Sequence, residues 1–304
     1  MVRSRFSLLL AAIATIGVSM FAQGAPAAAA KSFPVYYALK FNQTVTGFEQ
    51  CGLKPMPIVY PGALFKGGRL GETPDYAQLR KKGAPTVRDA AARTADKFVV
   101  LDVEGSWDLL PTDSADALKG KATDYYDLLY FLKQELKALK ATAKVGYFRV
   151  APPDFYQNPS LPGQPKTTYE LATAALKKVG DASDALFPQL YGYESPAHFR
   201  KYTFGTVGTA RANWPKKPVY PFIWMQRRAA WDVKAGRYIN EMLPKGAFAL
   251  QLQTVKGSGA DGVVIWGTLG NDQARLDWNR NADWWLETKA FLKKQGVDLK
   301  GCKL

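Results

Sequence analysis

The chain has 304 residues, a formal net charge of +15 from 41 Lys and Arg against 26 Asp and Glu, one histidine and two cysteines. That length holds one large domain or two small ones. One histidine and two cysteines exclude the usual zinc centres, and the absence of a Gly-x-Ser-x-Gly elbow, a P-loop or a dinucleotide fingerprint excludes the chemistries those motifs carry, so neither metal nor cofactor is expected.

Residues 1–30 read as a secretory signal. Arg3 and Arg5 precede LLLAAIATIGVSMFA, and the small residues GAPAAAA follow, which places cleavage near Ala28 to Ala30. An uncleaved anchor is the other reading, but no later segment is apolar for long enough to span a bilayer. The leader carries two Arg and no acid, so its removal lowers the charge from +15 by two, to +13. A chain this basic is drawn to polyanions. For an exported protein, in periplasm or medium, the candidates are anionic polysaccharide, cell wall and membrane surface rather than nucleic acid; the plainer alternative is that the charge serves solubility.

From residue 31 to residue 304 a single domain is expected. Apolar β-type runs occur at 33–39, 57–62, 98–105, 144–150, 185–192, 218–226 and 262–267. Several are nearly continuously apolar, as in strands covered on both faces. Between them lie helix-type patterns at 123–140, 167–180 and 283–296, and a long stretch at 63–96 reads as irregular with a helix near 86–95. Strand alternating with helix predicts a parallel sheet, and seven strands favour a closed, distorted parallel β/α barrel. Cys51 and Cys302 stand near the two ends of the domain; an isolated pair in an oxidising compartment usually bonds, two free thiols being the alternative. The single histidine, His198 in ESPAHFRKY, reads as a solvated residue on a helix surface.

The third run, FVVLDVEGSW, carries the candidate chemistry. Residues two apart on a strand face the same side, so Asp102 and Glu104 point together, and at the carboxyl end of a barrel strand they enter the mouth. Gly105 lets the chain turn away. Two carboxylates that close repel when both are ionised, so one of them holds a proton near neutral pH, which suits a general acid beside a charged partner. Aromatics stand near the other strand ends: Tyr147, Tyr156, Tyr191, Tyr193, Tyr220, Trp224 and Trp266. Rings of this kind stack on sugar faces, and phenols hydrogen-bond hydroxyls and amides. Packing at a barrel rim is the competing explanation for each.

Five segments in the same order resemble the hyaluronidase family, glycoside hydrolase family fifty-six: FPVYYAL leading to Cys51, VVLDVEGSW with Trp107 shortly after the acids, GYFRVAPPDFYQN, ALFPQLY and GVVIWGT. The resemblance runs from about residue 33 to residue 302. It implies a distorted seven-stranded barrel that hydrolyses an N-acetylated, acidic polysaccharide such as hyaluronan or chondroitin. It implies that Glu104 protonates the glycosidic oxygen and that Asp102 orients the substrate's acetamido group, whose carbonyl attacks the anomeric carbon in place of an enzyme nucleophile. Tyr156, Tyr191 and Trp266 fall at family positions around the acetamido sugar, and Cys51 and Cys302 at a family disulfide. Tyr147, Tyr220 and Trp107 complete the expected substrate-binding set, and a monomer is expected. The sequence departs from the family after the acids: Gly105, Ser106, Trp107 and Asp108 stand where the family has Glu-Trp-Arg-Pro, and Phe155 replaces a family cysteine.

Two other readings remain. Barrel muramidases also carry an L-D-x-E strand, but usually with an aspartate on the first strand, where this chain has FPVYYALKF. An inactive carbohydrate-binding barrel is the non-enzymatic alternative. The chitinase pattern D-x-x-D-x-D-x-E fits less well, because Val100 or a neighbour stands where its second acid falls.

Overall fold

The strands form where short β-branched and aromatic runs are buried on both faces. A computed structural model describes residues 32–65, 75–110, 112–153, 166–192, 194–232, 237–267 and 275–304. The chain divides into Met1–Ser32 and Phe33–Leu304, and every described helix and strand lies in the second unit.

In chain order, β1 (Val35–Leu39) leads through a 3-10 turn at Glu49–Cys51 to β2 (Leu53–Pro55) and β3 (Ile58–Val59). Next come α1 (Pro61–Leu64), α2 (Tyr76–Gln78), a π turn at Leu79–Gly83, α3 (Ala84–Ala92), β4 (Phe98–Leu101), α4 (Ala115–Ala138) and β5 (Lys144–Tyr147). Then follow α5 (Lys166–Ala175), α6 (Lys177–Ala182), α7 (Pro196–Asn213), β6 (Phe222–Trp224), β7 (Gln226–Asp232), β8 (Arg237–Met242), α8 (Ala247–Gly257), β9 (Val263–Gly267) and α9 (Asp283–Lys294).

All pairings except β7–β8 are parallel. One sheet runs β2-β1-β9-β6 and another β3-β4-β5. Single parallel bridges continue from the second sheet: Phe148 to Phe187, Leu186 to Val219, and Gln189 to Phe222 at the start of β6. The stretch 53–59 serves both sheets. Its first half pairs with β1, its second half with β4, and it changes partner at Met56–Pro57, where Met56 N–H still donates to Tyr37 (2.8 Å). Pro57 has no N–H to continue the first ladder.

Alternation along each strand separates two cores. In β4, Phe98 and Val100 join Tyr36, Met56, Phe148, Phe187, Phe222 and Val264, a cluster to which each parallel segment contributes. Val99 and Leu101 face the other way, onto α3 and α4. Helix α4 is capped by Ser114, whose hydroxyl accepts from Ala117 N–H (3.2 Å), and buries Leu118, Ala122, Tyr125, Leu128, Leu129, Leu132 and Leu136 at three- and four-residue spacing. It thus begins earlier than the expected 123. The expected helix 167–180 is two helices, broken at Leu176. Gly180 in the second lies so close to Trp214 that a Cβ would stand 2.3 Å from its ring nitrogen.

Two expectations need correction. The stretch 63–96 is largely helical where described, because Ala84, Val87 and Ala91 give α3 an apolar face to bury. The β7–β8 hairpin, antiparallel with a register shift between Arg228 and Ala230, was not legible in the run 218–226. The Cys51–Cys302 disulfide forms, with Cα atoms 4.4 Å apart across a sequence separation of 251 residues. Among the described residues no helix is long and apolar enough to cross a membrane. The residues of the expected signal lie outside the described ones.

Candidate active site

The site is built on the end of β4. Asp102 N–H donates to Val59 (3.0 Å) and Phe148 N–H to Leu101 (3.0 Å), so the chain stays extended between its neighbours past the strand. Val103 is 1% exposed and packs into the core shared with α4, its carbonyl accepting from the Tyr125 hydroxyl (2.9 Å). Asp102 and Glu104, one residue to either side, therefore turn to the opposite face. Gly105 adopts a left-handed φ of 94°, and Asp108 N–H closes a turn onto its carbonyl (3.0 Å).

The two carboxylates have different surroundings. Burial, reinforced by the charge of Glu104, pushes Asp102 up to about 7, against the opposing effect of Arg149. Glu104 is 45% exposed at its side chain and accepts from Arg149 Nη1 (2.8 Å). Arg149 Nη2 also lies 3.7 Å from Asp108, whose carboxyl is raised by burial in spite of that cation. Arg149 was not among the residues expected from sequence. It follows β5 in KVGYFRV, and the pairing of β5 with β4 is what sets it beside Glu104. Its φ of 54° is a left-handed conformation that costs a non-glycine residue about 1 kcal/mol; its N–H meanwhile donates to Phe187 (2.9 Å).

Aromatic residues complete the site. Tyr191 stacks on Trp266 with centroids 5.2 Å apart and planes at 20°. Its buried hydroxyl has no hydrogen-bond partner among the described residues. Burial, then the charges of Asp102 and Glu104, push this phenol well up. Tyr60, directly after β3, was also missed by sequence reasoning, although it lies in the run PIVYPG. Its hydroxyl oxygen accepts from the Trp266 ring N–H, and burial, then the charge of Asp102, raise the phenol in spite of it. Lys40 stands over its ring at 5.4 Å.

Three expected residues do not reach this site. Tyr147 is 2% exposed between β5 and α4; its hydroxyl donates to the Tyr125 carbonyl (2.9 Å), because its parity on β5 is that of Val145, facing the helix layer. Tyr220 precedes β6 and packs against Tyr36 (5.3 Å) and Phe98 (5.2 Å), at the amino end of the parallel strands, opposite the carboxylates. Trp107 is 3% exposed, wedged edge-on between Phe65 (5.3 Å) and Tyr125 (5.1 Å). Trp224 does reach the aromatic wall: buried, it packs against Tyr191 and Trp266 with centroids 5.8 Å from each, its ring N–H donating to Gln226 (3.2 Å). Tyr156, Tyr193 and Phe155 lie outside the described residues. His198 sits in the first turn of α7 as read, but its side chain is 16% exposed rather than solvated, 3.8 Å from Glu194. Among the described residues no three His, Cys, Asp or Glu side chains are grouped to hold a metal ion.

Asp102, whose carboxyl burial pushes up to about 7, Glu104 on the same strand face and the stacked pair Tyr191 and Trp266 make up the candidate site. The fold defines a class: parallel strands alternating with helices as in the β/α barrels of glycoside hydrolases. The solved structures include bee venom hyaluronidase, 16% identical, with a TM-score of 0.51 over 86% of this chain and 97% of that one. The same enzyme in complex with a hyaluronic acid tetramer matches at 16% identity and a TM-score of 0.51, covering 88% of this chain and 97% of that one. A family 18 chitinase from Pseudoalteromonas aurantia matches at 14% identity and a TM-score of 0.39, covering 80% and 77%. No family model and no curated protein sequence matches the chain.

Proposed function

We propose that the chain is an exported retaining endo-glycosidase of hyaluronidase type, acting on an N-acetylated, acidic polysaccharide. The proposed organisation is a cleaved signal over residues 1–30 and one catalytic domain over 31–304, working as a monomer. The parallel pairings described above return to β1, and we read them as a closed, distorted barrel of seven strands with Asp102 and Glu104 in its mouth.

The observation that carries this reading is the pair itself: Asp102, half-buried and raised to about 7, with Glu104, its side chain 45% exposed, on the same face. At mildly acidic pH the free site holds a proton on Asp102. When an acetamido sugar enters, Asp102 is the acceptor for the amide N–H and must give that proton up. Glu104 takes it and delivers it to the glycosidic oxygen. The acetamido carbonyl closes on the anomeric carbon, and Glu104, now a base, draws a proton from the water that opens the intermediate. The Tyr191 hydroxyl, buried and without a hydrogen-bond partner among the described residues, donates in this reading to the acetamido carbonyl. Trp266 and Tyr60 supply the stacking wall.

The test is release of reducing ends by the purified mature protein from hyaluronan, chondroitin and peptidoglycan, with wild type and Glu104→Gln in parallel. Release from hyaluronan or chondroitin that vanishes in Glu104→Gln is expected. Release from peptidoglycan alone selects a muramidase, and binding without release in both proteins selects an inactive carbohydrate-binding barrel.

A further inference from the structure

The turn after the two acids carries a third carboxyl. Asp108 closes it, and each of its polar groups is engaged. Its N–H donates to the Gly105 carbonyl (3.0 Å), and its carboxylate accepts from the Gly105 N–H in return. Its carbonyl accepts from Lys121 Nζ on α4 (2.6 Å), and the same ammonium pairs with Asp113 (2.8 Å). Trp107, buried between Phe65 and Tyr125, fixes the residue before it. The Asp108 side chain, 21% exposed, is thus held in one place by a turn whose first residue, Gly105, directly follows Glu104. Asp108 also stands in the stretch where this chain departs from the family it resembles.

That place faces Arg149. The guanidinium gives Nη1 to Glu104 at 2.8 Å, a hydrogen bond, and sets Nη2 3.7 Å from Asp108 Oδ2, an ion pair beyond hydrogen-bond reach. One fork is therefore divided between two carboxylates, although a bidentate grip on one of them is the stronger arrangement. Asp102, the third carboxyl, lies in the same field. After burial, the largest effect, Glu104 and Asp108 push it up and Arg149 holds it down. Of the other ionisable groups here, Lys121 is paired with Asp113, and the phenols of Tyr125, Tyr191 and Tyr60 are all raised, which keeps them neutral. An anion that draws on the guanidinium leaves less positive charge for Asp102 and Glu104, and so favours a proton on the pair.

We propose that Asp108 is a positioning residue: it takes one arm of the Arg149 guanidinium from Glu104, and so keeps the shared proton on the Asp102–Glu104 pair to higher pH than the pair with Arg149 alone would hold it. The proposal rests on the acid–base reading of the pair. It makes the turn after the acids the element that sets the upper pH limit of the site.

The experiment is an NMR titration of the isotope-labelled side-chain carboxyls of the mature protein, with the Asp102 signal assigned by its loss in Asp102→Asn. Asp108→Asn keeps an oxygen for the Gly105 N–H but removes the charge. It is expected to lower the Asp102 midpoint by about half a pH unit or more, without lowering Tm by more than about 3 °C. Asp108→Glu should restore most of the difference. In an Arg149→Gln background the same Asp108→Asn change should move the midpoint less than half as far, because the effect passes through the guanidinium. The high-pH limb of kcat/KM, on whichever of the three polymers wild type cleaves, should move down by the same amount. An unchanged midpoint in Asp108→Asn, an equal shift with and without Arg149, or a change in Tm alone assigns Asp108 to the structure of the turn and overturns the proposal, whether or not polymer is cleaved. The expected midpoint shifts in a protein that cleaves none of the polymers overturn the enzymatic reading and leave the placement of Asp108 standing.

Discussion

Arg149 Nη1 donates to Glu104 Oε1 at 2.8 Å, so the proposed acid is held by a cation from the neighbouring strand. The hyaluronidase family that the sequence resembles has Glu-Trp-Arg-Pro after its acids, where this chain has Gly105, Ser106, Trp107 and Asp108. Arg149 brings a guanidinium to the pair by a different route, and the structure accepts a left-handed backbone at that residue to do so.

Replacing Arg149 tests that arrangement. Arg149→Gln is expected to lower kcat by roughly 10- to 100-fold with a small change in KM, because the acid loses its orientation. Arg149→Lys should recover part of the loss, since an ammonium keeps the charge but not the fork. Arg149→Gly should be as inactive as Arg149→Gln, yet recover about 1 kcal/mol of strain, read as a smaller fall in Tm.

Asp102 makes stability depend on pH in a definite direction. Its folded value of about 7 lies above that of an unfolded aspartate, so between about pH 4 and pH 7 the native state binds the extra proton. Stability from this group therefore falls as pH rises through that window, by up to about 4 kcal/mol in all. Asp102→Asn removes the titration. Urea unfolding at pH 5 and pH 8 should show the variant gaining on wild type at the higher pH, while its reducing-end activity is lost at both.

The two tyrosines on neighbouring strand segments should behave oppositely. Tyr147→Phe deletes the bond to the Tyr125 carbonyl and is expected to cost about 1 kcal/mol of stability with kcat/KM unchanged. Tyr191→Phe deletes a buried hydroxyl that has no partner among the described residues, so stability should hold or rise slightly, while kcat/KM falls about tenfold or more. Paired melting curves and steady-state kinetics separate the two, and a loss of activity in Tyr147→Phe would return that residue to the site.

The Cys51–Cys302 bridge closes nearly the whole domain. Cys51→Ser with Cys302→Ser is expected to cost on the order of 2–5 kcal/mol, a fall in Tm of roughly 5–15 °C. Below the new midpoint the specific activity should be that of wild type. Calorimetry with and without reductant checks it: reductant should move wild type and leave the double variant where it is.

The positions of the parallel segments were legible because burial on both faces leaves continuous apolar runs, and those runs at 98–105, 144–150 and 262–267 contain β4, β5 and β9. The D-x-E step was legible for a similar reason: strand parity is local, and Val103 facing the core leaves Asp102 and Glu104 facing away from it. The hairpin β7–β8 escaped because its register is decided by pairing, not by a run of apolar residues.

Aromatic content near strand ends did not by itself separate rings that pack under a helix from rings that gather near the acids. Tyr147 and Tyr191 both follow apolar runs, yet one sits under α4 and the other beside the acids. Which face a ring takes depends on the exact register of its strand, and which end it occupies depends on where the strand begins. Neither is a property of composition.

By itself, then, the sequence determined the alternation of strand and helix, the shared face of Asp102 and Glu104, and the two cysteines able to join the ends, because periodicity and spacing act within a few residues or within a pair. Only the tertiary structure decided that Asp102 is the more desolvated member of the pair, that Arg149 reaches Glu104, and that Tyr191 stacks on Trp266. Each of these depends on residues from different strands meeting across the ends of the sheets. Desolvation and ion pairing are set by such neighbours, and they come from segments far apart in the chain.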